Sequence, residues 1–152
     1  MKKKEKERKK KIDQEQKKAI RNPRIEIVEL IELANDSFMR CNYDNAINYS
    51  EKVIRLAIKS KFDHHIQEQQ QFLIKIAKKV EETFFVSEIN EAVKKIEKIY
   101  NALLEAKQFS QAHEILETFK GHYQDKIDLD SIPLIKELMK KDRREEIKNK
   151  LE

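Results

Sequence analysis

The sequence predicts an all-α protein built from antiparallel helical hairpins, an array of about five to six helices carrying a basic N-terminal arm. Three observations predict it. The chain of 152 residues holds one glycine and two prolines, far below the average usage of about 7% and 5%. Sheets need such turn residues at short intervals, so a sheet protein is excluded. Charged residues make up 40% of the chain and apolar ones 39%, and the apolar ones recur three and four positions apart, which is the period of a helix buried on one face.

The first segment, residues 1–22, is an arm. Residues 1–24 hold 12 Lys/Arg and 4 Asp/Glu, a net of +8, whereas the other 128 residues hold 21 and 24, a net of −3. Ile12, Ala19 and Ile20 stand nearly alone among these charges, so the arm cannot bury itself and is expected as a disordered tail or a solvated helix. Asn22-Pro23 then reads as a helix cap followed by proline at the first helical position. Residues 23–125 form the expected helical domain. Ile27, Leu30, Ile31, Ala34, Phe38 and Cys41 make the first apolar face. A break at Asn42 ends it, and Asp44 is expected to cap a second helix bearing Ala46, Ile47, Val53, Ile54, Ala57 and Ile58.

Asp63 is expected to cap a third helix, with Ile66, Leu73, Ala77, Val80 and Phe84. Ser87 is expected to cap a fourth, with Ile89, Val93, Ile96, Tyr100, Leu103 and Leu104. A fifth carries Phe109, Ala112, Ile115, Leu116 and Phe119, and Gly121 is expected as the left-handed residue that closes it. The polar stretch "YQDKIDLD" precedes a C-terminal helix within 131–152, with Leu134, Ile135, Leu138 and Met139. Its end, "DRREEIKNKLE", has little apolar content and is expected at the surface, with Asp142 and Glu145 at capping-box spacing.

The joint between the first two helices is the most informative stretch. Two helices linked this tightly must lie antiparallel and close. Tyr43 then fills the wedge between them, and Ala46 keeps the backbones near because no larger side chain fits. On these residues "LIELANDSFMRCNYDNAINYSEKVIRLA" resembles a tetratricopeptide repeat (TPR). Leu30, Leu33 and Ala34 fall at its W-x2-L-G positions, Tyr43 and Ala46 at the turn and second helix, and Val53 at the usual second-helix alanine. Ala34, Ser37 and Ser50 replace the common glycine and two aromatics, and no proline closes the unit. A looser copy, "IEKIYNALLEAKQFSQAHEILETF", places Ile96, Ile99 and Tyr100 on a first helix, Phe109 at the turn and Ala112 at the alanine. Ala46 and Ala112 are 66 residues apart, near twice the repeat length of about 34. The layout "NYDNAINYSEKVIRL" followed by "QEQQQFLIKIAKKVEE" is also similar to the three-helix MIT domain.

The TPR resemblance implies a ligand groove along the inner face of each first helix, here Val28, Ile31, Asn35, Phe38 and Met39, with Asn101 in the second copy. TPR domains that hold a C-terminal carboxylate flank such an asparagine with cations. Here Ile31 and Met39 flank Asn35, and Glu97 and Glu105 flank Asn101, so the resemblance implies an apolar helix or peptide as the ligand.

Nothing in the sequence points to an enzyme. His64 and His65 are adjacent, so on a helix they point apart, and His113 and His122 share no close face; all four are expected as surface or cap residues. Glu81-Glu82 and Glu145-Glu146 read as solvated faces, the "QEQQQ" run as a polar face, and one glycine cannot build a phosphate-binding loop. No cofactor or metal is expected. A single cysteine, Cys41, permits no internal disulfide and suits a reducing compartment. No apolar run exceeds three residues, so the expected setting is soluble and cytoplasmic. The expected function is a protein-interaction module, an adaptor or scaffold with a protein or peptide partner. The alternative is a nucleic-acid- or ribosome-associated protein gripping RNA or another polyanion weakly through Lys2, Lys3, Lys4, Arg8, Lys9, Lys10 and Lys11, without stacking, because no aromatic precedes Phe38.

Overall fold

The computed structural model describes residues 22–151. Among them are six α-helices and no strand: α1 (Pro23–Met39), α2 (Tyr43–Ser60), α3 (Asp63–Thr83), α4 (Ile89–Glu105), α5 (Phe109–Tyr123) and α6 (Pro133–Leu151). The all-α class and the number of helices are as the periodicity predicts. Among the described residues no helix is long and apolar enough to cross a membrane.

The joints explain how a chain with one glycine turns so often. Asn22 caps α1 through its side chain, which accepts from the Arg24 amide at 3.0 Å, and Pro23 takes the first position. At the other end Cys41 adopts φ 62°. Its N–H bonds to the Phe38 carbonyl and that of Asn42 to the Ser37 carbonyl, the paired closure that satisfies a helix's last carbonyls. Lys61 (φ 60°) repeats the device between α2 and α3, and Lys107 (φ 59°) between α4 and α5. All three lie in the left-handed region where a side chain normally costs about 1–2 kcal/mol. The single glycine is elsewhere: Gly121 lies inside α5 without a positive φ, correcting its expected role as a terminator.

Other caps also differ from expectation: Asp63 is the first residue of α3 and not its cap, which is Phe62, with no side-chain cap hydrogen bond. The Asn42 side chain, not Asp44, accepts from the Asn45 amide and starts α2. Asp44 sits in the first turn and instead meets Lys95 and Lys98 of α4, each at 3.3 Å. Ser87 lies in a short 3-10 turn, Val86–Glu88, ahead of α4.

The helices form two layers. α2 packs on α4, and α4 on α6. The Asp44 contacts, together with a two-pronged Arg55–Glu105 pair at 2.8 Å, set α2 and α4 parallel, as same-layer helices of stacked hairpins must be. The opposite layer holds α1, α3 and α5. There α3 packs on α5, and the Phe38 ring of α1 lies 5.8 Å from Phe72 of α3. The core runs between the layers, with Leu73, Ile76, Val80, Ile96, Ile99, Leu103 and Leu116 fully covered. A smaller cluster, Ile27, Val53 and Ala57, anchors α1 to α2, and Ile31 and Ile66 pack against it.

The hairpin joint behaves as the sequence implies. Tyr43 is buried with its ring 6.0 Å from Phe38, and Ala46 is wholly covered. Two of the five residues of the "QEQQQ" run depart from a polar face: Gln69 and Gln70 are buried, and Gln69 accepts a 2.7 Å hydrogen bond from the Ser50 hydroxyl of α2.

Candidate functional site

The expected groove divides into a packed half and a free half. Ile31 joins the Ile27/Val53/Ala57 cluster. Phe38 is wedged between Tyr43 and Phe72, with the Lys75 ammonium 4.9 Å above its ring. These two side chains hold α1 in place. Val28 (50% exposed), Asn35 and Met39 (81%) remain open to solvent.

Asn101 does not belong with them. It lies on α4, in the other layer, and accepts a hydrogen bond from the Lys141 ammonium of α6. The reason is one of counting. Only one helix, α3, separates the α1–α2 hairpin from the α4–α5 hairpin. An odd number of intervening helices inverts the second copy, so its first helix faces away from the layer that holds α1. The arm residues Lys2, Lys3, Lys4, Arg8, Lys9, Lys10 and Lys11 lie outside the described residues.

A better-formed cavity lies further along the α1–α3–α5 layer, where α3 meets α5. It has a volume of about 140 Å³ and is lined by Ile74, Ala77, Lys78, Glu81, Gln111, Glu114, Ile115 and Thr118. Ile74, Ala77 and Ile115 make it apolar, and the charged residues carry polar groups at its margin. The Gln111 side-chain oxygen is buried there without a hydrogen-bond partner, which costs free energy until a donor arrives. Glu81 titrates above the ordinary carboxylate range, because it is half-buried and next to Glu82, with Lys78 opposing. Elsewhere on α3 the exposed side chains are polar, among them Gln67, Gln71 and Lys75, and the Lys75 ammonium reaches the Phe38 ring of α1.

A second cluster lies between α4, α5 and α6. Asp142 is buried, and its two carboxylate oxygens are engaged from two helices. The Tyr100 hydroxyl donates to Oδ1 at 2.8 Å, and His113 Nδ1 lies 2.7 Å from Oδ2. Burial, and after it the bond to Asp142, push the Tyr100 hydroxyl far above its ordinary range. Sequence reasoning missed this cluster by treating 142–152 as surface. The signal was present: Asp142 continues the stripe Ile135, Leu138 at a spacing of four, so a helix running through it puts Asp142 on the buried face. His64 and His65 also sit closer than adjacency suggests, with ring centroids 3.9 Å apart, but His64 and Glu68 beside it are exposed.

No family model matches this chain, and no curated protein or solved structure matches it either.

Proposed function

We propose that this chain is a non-enzymatic protein-interaction module that lays an amphipathic helix of a partner protein across the α1–α3–α5 layer. The observation that carries the reading is the apolar cavity between α3 and α5, in the same layer as the exposed Val28 and Met39. A cavity near 150 Å³ accepts a benzene-sized group, so this one suits a single anchoring ring. The unpaired Gln111 oxygen adds an acceptor for a donor on that ring, which favours tyrosine as the anchor. The exposed polar side chains of α3 make a wholly apolar partner unsuitable and an amphipathic one suitable. The TPR resemblance of the α1–α2 hairpin points the same way, and exposed Cys41 suits work in a reducing cytoplasm.

Selection from a displayed library of random peptides tests the reading, with binders mapped by amide chemical shifts. The expected binders are amphipathic, carry one aromatic anchor and move the amides around Ala77 and Ile115. Thr118→Trp, at the exposed rim of the cavity, is expected to leave melting unchanged and to abolish their binding. Binders that move α2 and α6 instead, or that tolerate Thr118→Trp, overturn it.

The charge asymmetry carries a second reading. A net of +8 over residues 1–24 beside a body of net −3 supports weak, salt-sensitive polyanion binding by the arm. Deleting residues 1–21 is expected to abolish retention on RNA or heparin. Retention by the truncated chain at moderate salt contradicts it.

A further inference from the structure

We propose that His113, Glu117 and Asp142 form a binding site for one divalent transition-metal ion of the zinc class, clamping α6 onto α5. Asp142 is 6% exposed, yet among the described residues no lysine or arginine pairs with its carboxylate. Its partners are the Tyr100 hydroxyl and the His113 ring. A buried carboxylate without a fixed countercharge is costly, and the Tyr100 hydroxyl and the His113 ring each give this one a single hydrogen bond.

Glu117 adds a second carboxylate. It lies one turn beyond His113 on α5, so the two share a face. The ligand atoms of His113, Glu117 and Asp142 all lie within 4.8 Å of one another. Two carboxylates converge there with an imidazole from two helices, and among the described residues the one ion pair that a lysine or arginine makes with either is that of Lys120 with Glu117, at 3.1 Å, which leaves a surplus of negative charge. A divalent cation resolves that imbalance.

The donor set selects the class of ion. Calcium and magnesium prefer oxygen ligands throughout, whereas an imidazole nitrogen favours zinc and its neighbours. Three protein ligands leave a fourth position for water. Tyr100 plays the supporting part, because its hydrogen bond to Oδ1 fixes the carboxylate and leaves Oδ2 for the ion. The present 2.7 Å between His113 Nδ1 and Oδ2 is a hydrogen bond. Bonds of about 2.0–2.1 Å in a tetrahedron set ligand atoms roughly 3.3 Å apart, so the His113 ring must swing outward. It is 41% exposed, with the Phe109 ring stacked beside it at 5.9 Å between centroids, and the exposed part also gives the ion a way in.

The test uses the untagged full chain. Cobalt(II) is titrated for its ligand-field spectrum, and zinc for heat and for melting temperature. The expected result is one tetrahedral ion per chain and a melting temperature that rises with zinc but not with magnesium. Glu117→Gln alters an exposed side chain and is expected to fold as the parent while weakening zinc roughly 10-fold or more, since even supporting contacts act on that scale. His113→Asn is expected to abolish the cobalt spectrum. His64→Asn serves as the control and is expected to change neither. Absence of a tetrahedral cobalt spectrum, or zinc affinity untouched by Glu117→Gln, or affinity lost in His64→Asn instead, overturns the site.

Discussion

The α1–α2 and α4–α5 hairpins close in the same way and live in different surroundings. Each has a side-chain-bearing left-handed residue at the joint, Cys41 in one and Lys107 in the other, and each has a fully covered alanine three residues after an aromatic, Ala46 and Ala112. Yet α1 holds to the body by one face and leaves Val28, Leu33 and Met39 exposed. In contrast, α4 is enclosed by α2, α3, α5 and α6, with Ile96, Ile99, Tyr100 and Leu103 wholly covered. Local residues therefore set the hairpin, and the layer in which its first helix falls sets what that helix can do. Asn35 is free and Asn101 is bound to Lys141 for this reason.

The largest expected contrast is between the two first helices. Ile96→Ala is expected to cost about 2–5 kcal/mol, because a wholly covered side chain leaves a cavity when truncated. Val28→Ala should stay within about 0.5 kcal/mol, as surface changes do. Denaturant unfolding of both variants checks this, and similar costs would erase the distinction between an enclosed and an edge helix. The two alanines should instead behave alike. Ala46→Leu and Ala112→Leu each force a larger side chain between close helices, at about 1–3 kcal/mol. A loss confined to one would mean that the hairpins do not share a geometry.

A smaller gain is expected at the joints. Cys41→Gly and Lys107→Gly relieve the left-handed strain but loosen the unfolded chain, so each should stabilise by up to about 1 kcal/mol net. A fall in melting temperature for either would place its φ outside the left-handed region.

The smallest effect is electrostatic. Partial burial pulls the Asp44 carboxyl up, but Lys95 and Lys98 together hold it below its ordinary value. A carboxyl lowered in the folded state stabilises above its unfolded value, and that contribution is lost as pH falls through the folded one. Asp44 is 46% exposed, so solvent screening leaves at most about 0.5 kcal/mol. Acid unfolding of Lys95→Met should start at slightly higher pH than that of the parent, and an unchanged acid limb would leave the α2–α4 contact without electrostatic weight.

How much of this was legible in the sequence follows from where each signal resides. Helix class, number and core faces come from apolar spacing, and Tyr43 and Ala46 were readable because packing at a tight joint restricts side-chain size. The joints were less so. Cys41, Lys61 and Lys107 take a conformation usually marked by glycine, and the glycine present sits inside α5, so the usual terminator signal pointed to the wrong place. Asn101 was misplaced because the repeat spacing of 66 residues says nothing about how many helices fill the interval. One long helix fills it, and the second copy inverts. The α3–α5 cavity and the Tyr100–Asp142–His113 cluster each join residues from helices distant in the chain, and no local pattern encodes such meetings.

The proposed binding layer requires α1 to lie beside α3 and not beside α4. An isotope-edited NOESY spectrum of the aromatic rings measures that directly. Phe38 and Phe72, with ring centroids 5.8 Å apart, are predicted to show strong ring-to-ring cross-peaks. Cross-peaks from Phe38 to Asn101 or Leu104 of α4 in their place would put the two hairpins in phase and contradict the account.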